Sequence, residues 1–66
     1  MRLMVNGKEI QLDRPMSIAE FLRRRGVSEA AVGVEHNRAW TRREDWPEII
    51  LQENDRLEII QIMAGG

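Results

Sequence analysis

The chain alternates from its start. Leu3 and Val5 share one parity and Met4 takes the other; after Asn6-Gly7, Lys8-Glu9-Ile10-Gln11-Leu12 alternates again with Ile10 and Leu12 in phase. A period of two is that of a half-buried strand, whose successive side chains point to opposite faces. Asn-Gly favours the type I′ turn, whose twist matches the strands that it joins. Residues 3–12 therefore predict a β-hairpin, which Asp13-Arg14-Pro15 ends. The period then changes. Ile18, Phe21 and Leu22 fall at i, i+3 and i+4, the buried stripe of a helix. Ser17-Ile18-Ala19-Glu20 reads as a capping box, with Met16 and Phe21 placed as a hydrophobic staple. Gly26 suits a left-handed stop and Val27 is placed to fold back on Leu22. Arg23, Arg24 and Arg25 occupy the last turn, where cations oppose the helix dipole favourably.

Beyond the helix, Ala31-Val32-Gly33-Val34-Glu35-His36 predicts a third strand with Val32 and Val34 inward, and Asn37-Arg38 a turn. Ala39-Trp40-Thr41-Arg42 predicts a short fourth strand. Glu44 to Glu48 predicts a single helical turn or tight loop, because Pro47 rules out a long helix. Ile49, Ile50 and Leu51 supply apolar cover, and Gln52-Glu53-Asn54-Asp55 predicts a turn before the final strand at 57–63.

That last strand switches parity. Leu57 and Ile59 share one face; Ile60 and Ile62 share the other, with Met4 from the first strand. One helix covers one face of a sheet. The expected architecture is α+β: a mixed sheet packed on one helix, the last strand beside the first, the second face open. The expected core is Leu3, Val5, Ile10, Leu12, Ile18, Leu22, Val32, Val34, Leu57 and Ile59. Ile60 and Ile62 are then exposed, unless Trp40, Trp46 or residues 49–51 fold over them. Large apolar residues left together in water suggest a binding surface.

Composition narrows the field. With 66 residues, 1–66 is expected to form one domain, and with no cysteine neither a disulfide nor a cysteine-based zinc site can staple it. One core of this size rarely supplies more than ~3–5 kcal/mol. A net charge of −1 with both signs interleaved gives no bulk case for nucleic acid or an anionic membrane. No segment is long and apolar enough to span a bilayer as a helix, and the N-terminus turns polar too soon for a signal peptide, so a cytoplasmic location is expected.

Ordinary catalytic chemistry is sparse. Ser17 and Ser28 have capping and loop roles. His36 follows Glu35 in a strand, so their side chains face opposite ways, and a lone histidine reads as a surface residue. No metal-ligand cluster is expected. Trp40 and Trp46 read as core closures. What remains is the end, Ala64-Gly65-Gly66. Glycine tolerates almost any backbone conformation and has no side chain, so this tail fits a slot closed to larger residues and carries a carboxylate at its tip.

Taken in order, Val5-Asn6-Gly7, the helix start from Ser17 to Leu22, Val32-Gly33-Val34-Glu35-His36-Asn37, Arg42, and Asp55 through Gly66 resemble the ThiS family. These are small ubiquitin-like sulfur carriers of the thiamine pathway with a β-grasp fold, and the resemblance covers nearly the whole chain. Two positions depart from the family pattern: Trp40-Thr41 stands where an aliphatic residue and a proline are usual, and Asn54 where glycine is common. The resemblance implies that the Gly66 carboxylate is adenylated by a ThiF-like enzyme, converted to a thiocarboxylate with sulfur from a persulfide donor, and used by a ThiG-like thiazole synthase. It implies a protein cosubstrate and not an enzyme, with no bound cofactor, ATP belonging to the partner. Partner docking falls to Gly65, Ala64, Ile62, Ile60 and Met4. A MoaD-like molybdopterin sulfur carrier and a ubiquitin-like protein modifier share the tail and the activation step and stay open as alternatives. So does a plain β-grasp binding module with an incidental Gly-Gly.

Overall fold

The structure, a computed structural model, describes residues 1–62. The hairpin forms as expected: β1 (Arg2–Val5) pairs antiparallel with β2 (Lys8–Gln11), with Leu3 opposite Ile10. Asn6 and Gly7 both have positive φ, 51° and 81°, as a type I′ turn requires.

The helix α1 spans Ile18–Arg24. The Ser17 hydroxyl accepts from the Glu20 amide at 3.0 Å, so half of the capping box is present. The Glu20 carboxylate turns outward to Arg14 instead, at 2.6 Å. Two amides of the first turn find an unexpected source: Ile18 N–H donates to the Ile49 carbonyl and Ala19 N–H to the Trp46 carbonyl. The 46–51 segment thus caps the helix start, and Leu51 N–H donating to the Met16 carbonyl closes the join. At the far end Val27 N–H reaches Leu22 O and Gly26 N–H reaches Arg23 O, with Gly26 at φ 71°. That is the Schellman arrangement, which satisfies carbonyls otherwise orphaned. The arginines act locally: Arg24 pairs with Asp13 and Arg25 lies over the Phe21 ring.

Two further strands and a last one complete the sheet. β3 (Val32–His36) follows a 3-10 turn at Glu29–Ala31, which takes Ala31 out of the expected strand. β4 is only Ala39–Trp40, and a second 3-10 turn covers Arg43–Asp45. β5 (Arg56–Gln61) lies between β1, parallel to it, and β3, antiparallel to it; the order is β2-β1-β5-β3-β4. A mixed sheet holding one helix on one face is the β-grasp arrangement.

The core lies between helix and sheet. Leu3, Val5, Val34 and Leu57 from the sheet meet Ile18, Ala19, Phe21 and Leu22 from the helix, with Met16, Trp46 and Leu51 closing the side. Full burial of an Ile, Phe or Leu side chain contributes about 1.5–3 kcal/mol, an upper estimate against an extended chain. Four expected core residues, Ile10, Leu12, Val32 and Ile59, are only partly buried. A seven-residue helix roofs the middle of the sheet and leaves the edge strand β2 and the far end of the β3–β5 pair half covered.

Candidate functional surface

The sheet register fixes what the uncovered face presents. Gly33 lies opposite Ile60 and Glu35 opposite Glu58 across β3 and β5. Trp40 lies opposite Glu35 across β3 and β4, and Met4 opposite Arg56 across β1 and β5. These residues all take the parity opposite to the core. Ile60 is 42% exposed and Ile62 57%, so nothing in the described chain folds over them.

Trp40 does the reverse of what its sequence position suggests. It is 60% exposed and does not close the core. Its ring rests over Gly33, where a Cβ would come within 2.2 Å of Cη2. Gly33 thus makes room for an indole beside Ile60. Met4, by contrast, shares the face but stands four positions back along β5, about 13 Å from Ile60 at strand spacing. The apolar cluster at the exit of β5 is therefore Trp40, Ile60 and Ile62, with Met4 a separate contact point. The signal in the sequence was parity: Trp40 pairs with a polar residue, Glu35, that faces away from the core.

Trp46 takes the place expected of both tryptophans. It is buried, and its indole N–H donates to Thr41 Oγ1 at 2.8 Å. Thr41 in turn donates its hydroxyl to the Val34 carbonyl at 2.7 Å. A buried indole N–H needs such an acceptor, and Thr41 supplies it. Beside this join opens a cleft of about 380 Å³ lined by Trp40, Arg42, Arg43 and Ile62 among others, where β5 leaves the sheet. The remaining sites assigned from sequence, Ala64, Gly65 and Gly66, lie outside the described residues.

His36 is also placed differently from the surface position expected of it. It is half-buried, with Nε2 2.7 Å from Asp55 Oδ2. Asp55 is buried and also accepts from the Gln52 amide at 2.9 Å and from Asn37 Nδ2 at 3.1 Å. Asn37 Oδ1 accepts from Arg56 N–H at 2.8 Å. Burial pushes the Asp55 carboxyl up, but the bonds from His36, Gln52 and Asn37 outweigh it and hold it below the ordinary aspartate value of 3.8. This knot ties the β3–β4 turn to the start of β5. No nucleophile adjoins it, and its role is to hold β5 in register. Among the described residues no group of His, Cys, Asp or Glu is arranged to hold a metal, and no helix is long and apolar enough to cross a membrane.

Comparison with known proteins agrees with this architecture. A family model described as the ThiS family matches residues 2–66. The crystal structure of thiamine biosynthesis protein ThiS from Geobacter metallireducens superposes with a TM-score of 0.86 at 32% identity, all of both chains being covered. An NMR structure of a thiamine biosynthesis protein from the same organism gives 0.81 at 32% identity, covering all of this chain and 88% of that one. A thiazole synthase of Paramagnetospirillum magneticum is 29% identical over 66 residues; the match takes in all of this chain but spans only 20% of that relative's length. With a family match over nearly its whole length and a shared ubiquitin-like β-grasp fold, the chain belongs to the ThiS family, the small sulfur carriers of thiamine biosynthesis.

Proposed function

We propose that this protein carries sulfur to thiazole formation as a thiocarboxylate on Gly66. The Gly66 carboxylate attacks the α-phosphorus of ATP bound by a ThiF-like adenylating enzyme, and pyrophosphate leaves. A persulfide, drawn from a cysteine-derived donor, displaces AMP from the acyl-adenylate. Cleavage of the resulting acyl disulfide by a thiol leaves the thiocarboxylate, which a ThiG-like thiazole synthase consumes. The chain supplies a positioned carboxylate and a docking face, while the partners supply catalysis and ATP; it is a cosubstrate, and the reactions belong in the cytoplasm.

One observation carries this reading. The family match runs through Gly66, and β5 exposes Ile60, with Ile62 exposed just beyond its end, on the uncovered face. Docking through that face presents the tail to the partner. The relative named thiazole synthase contains a segment like this whole chain, which favours the thiamine branch over the molybdopterin one.

The test is ATP–pyrophosphate exchange with the adenylating enzyme of the same genome. Deleting Gly66 withdraws the carboxylate by one residue, up to about 3.5 Å, and abolishes exchange while the fold persists by circular dichroism. Exchange at the wild-type rate by the deletion variant would overturn the assignment. Transfer of the chain onto lysines of other proteins would point instead to a modifier.

A further inference from the structure

The uncovered face carries a charge arrangement that apolar docking alone leaves unexplained. Glu35 and Glu58 stand directly opposite each other on neighbouring strands. Side chains so placed have Cβ atoms about 4.5–5.5 Å apart, and like charges there repel. Neither carboxylate has an ion-pair partner among the described residues, whereas Glu9, Asp13, Glu20 and Glu44 each pair with an arginine. The cation nearest in the ladder, Arg56, lies two positions before Glu58 on the same face and forms no ion pair with it.

The surroundings make this arrangement informative. Trp40 is the cross-strand neighbour of Glu35 on its other side, and Ile60 is the next residue of that face after Glu58. Any protein that covers Trp40 and Ile60 also strips water from the carboxylates beside them. Desolvating two like charges with no counter-ion costs more than the apolar contact returns. A partner for this face therefore has to bring a cation. Arginine fits better than lysine: its planar fork can serve two carboxylates at once, it is more weakly hydrated, and it stacks on an aromatic ring.

We propose that the adenylating enzyme docks on this face and inserts an arginine between Glu35 and Glu58, against Trp40, in an otherwise apolar contact. The inference rests on the reading of this face as the docking surface of a carrier. The free protein sets two glutamates opposite each other across β3 and β5, and the inserted arginine supplies them a shared cation.

The test uses the full chain, the adenylating enzyme of the same genome, and the variants Glu35→Gln, Glu58→Gln and both together. Glutamine keeps the shape and removes the charge. The double variant should melt about 2–5 °C higher than wild type, since the repulsion is gone. It should nevertheless bind the enzyme on the order of tenfold more weakly by calorimetry, and its affinity should depend less on salt. Equal affinity and an equal salt dependence for wild type and double variant would overturn the inference while leaving the carrier reading in place. Failure of the wild type itself to bind would remove the docking reading and this inference with it.

Discussion

The two sides of β5 were built to different rules. On one side Leu57 is fully buried against the helix and Ile59 packs at its margin; on the other, Ile60 and Ile62 stand 42% and 57% exposed. All four are large aliphatic residues within six consecutive positions, 57–62, so hydrophobicity does not distinguish them. The helix does: it roofs one face only. The covered side obeys packing, with Leu3, Val5, Val34 and Leu57 all at or below 6% exposure. The open side follows no such rule, retaining an exposed indole, two exposed isoleucines and a pair of opposed glutamates. Each is unfavourable or neutral for folding alone, which is the pattern expected of a surface kept for a partner.

The same substitution on each side breaks the comparison most sharply. Leu57→Asp buries an unpaired charge in the centre of the core. A core this small supplies no more than ~3–5 kcal/mol, so the variant should be unfolded by circular dichroism at 25 °C. Ile60→Asp, three residues on, should melt within a few degrees of wild type yet lose at least ~2 kcal/mol of binding to the adenylating enzyme, the usual cost of an interface anchor. A folded Leu57→Asp protein, or undiminished binding by Ile60→Asp, would remove the division of labour.

The acid sensitivity of the fold should trace to the covered side. Asp55 has a folded pKa below 3.8, so its bonds stabilise the fold above the unfolded value and that contribution fades as pH falls through the folded one. Asp55→Asn should cost about 1–3 kcal/mol near neutral pH, the penalty for disturbing a buried hydrogen-bonded group. Its melting temperature should also fall less steeply than wild type below about pH 4. Parallel acid limbs for the two proteins would show that Asp55 is not the group responsible.

The smallest expected effect touches neither face. Arg38 holds φ at 71° in the second two-residue turn, where Asn6-Gly7 has glycine in the first. A left-handed conformation costs a side-chain-bearing residue about 1–2 kcal/mol, offset in part by the extra unfolded-state freedom of glycine. Arg38→Gly should raise stability by about 0.5–1 kcal/mol in urea titration and leave binding unchanged.

Local chemistry carried much of this structure into the sequence. Asn6-Gly7, Gly26 and the parity of residues 57–62 each announce a conformation, and each formed as read; Ser17 formed half of its capping box. The two tryptophans show where that reading stops. Trp46 enters the core because Thr41 offers its indole N–H an acceptor, and Trp40 stays outside because Gly33, seven residues earlier, leaves a bare strand for it to rest on. Asp55 became buried for a similar reason: the adjacent pair His36 and Asn37, and the Gln52 amide, converge on it from two places along the chain. Such choices depend on strand register, and the β3–β5 pairing joins residues more than twenty positions apart.

The claim at the centre of this account is that the chain is a carrier whose cargo rides on its final residue. The most direct measurement is the intact mass of the wild-type chain after incubation with the adenylating enzyme, ATP and a persulfide source, followed by fragmentation to locate any change. The account predicts replacement of one oxygen by sulfur, confined to Gly66 and dependent on ATP. An unchanged mass under conditions where the enzyme is active, or sulfur found anywhere else in the chain, would contradict it.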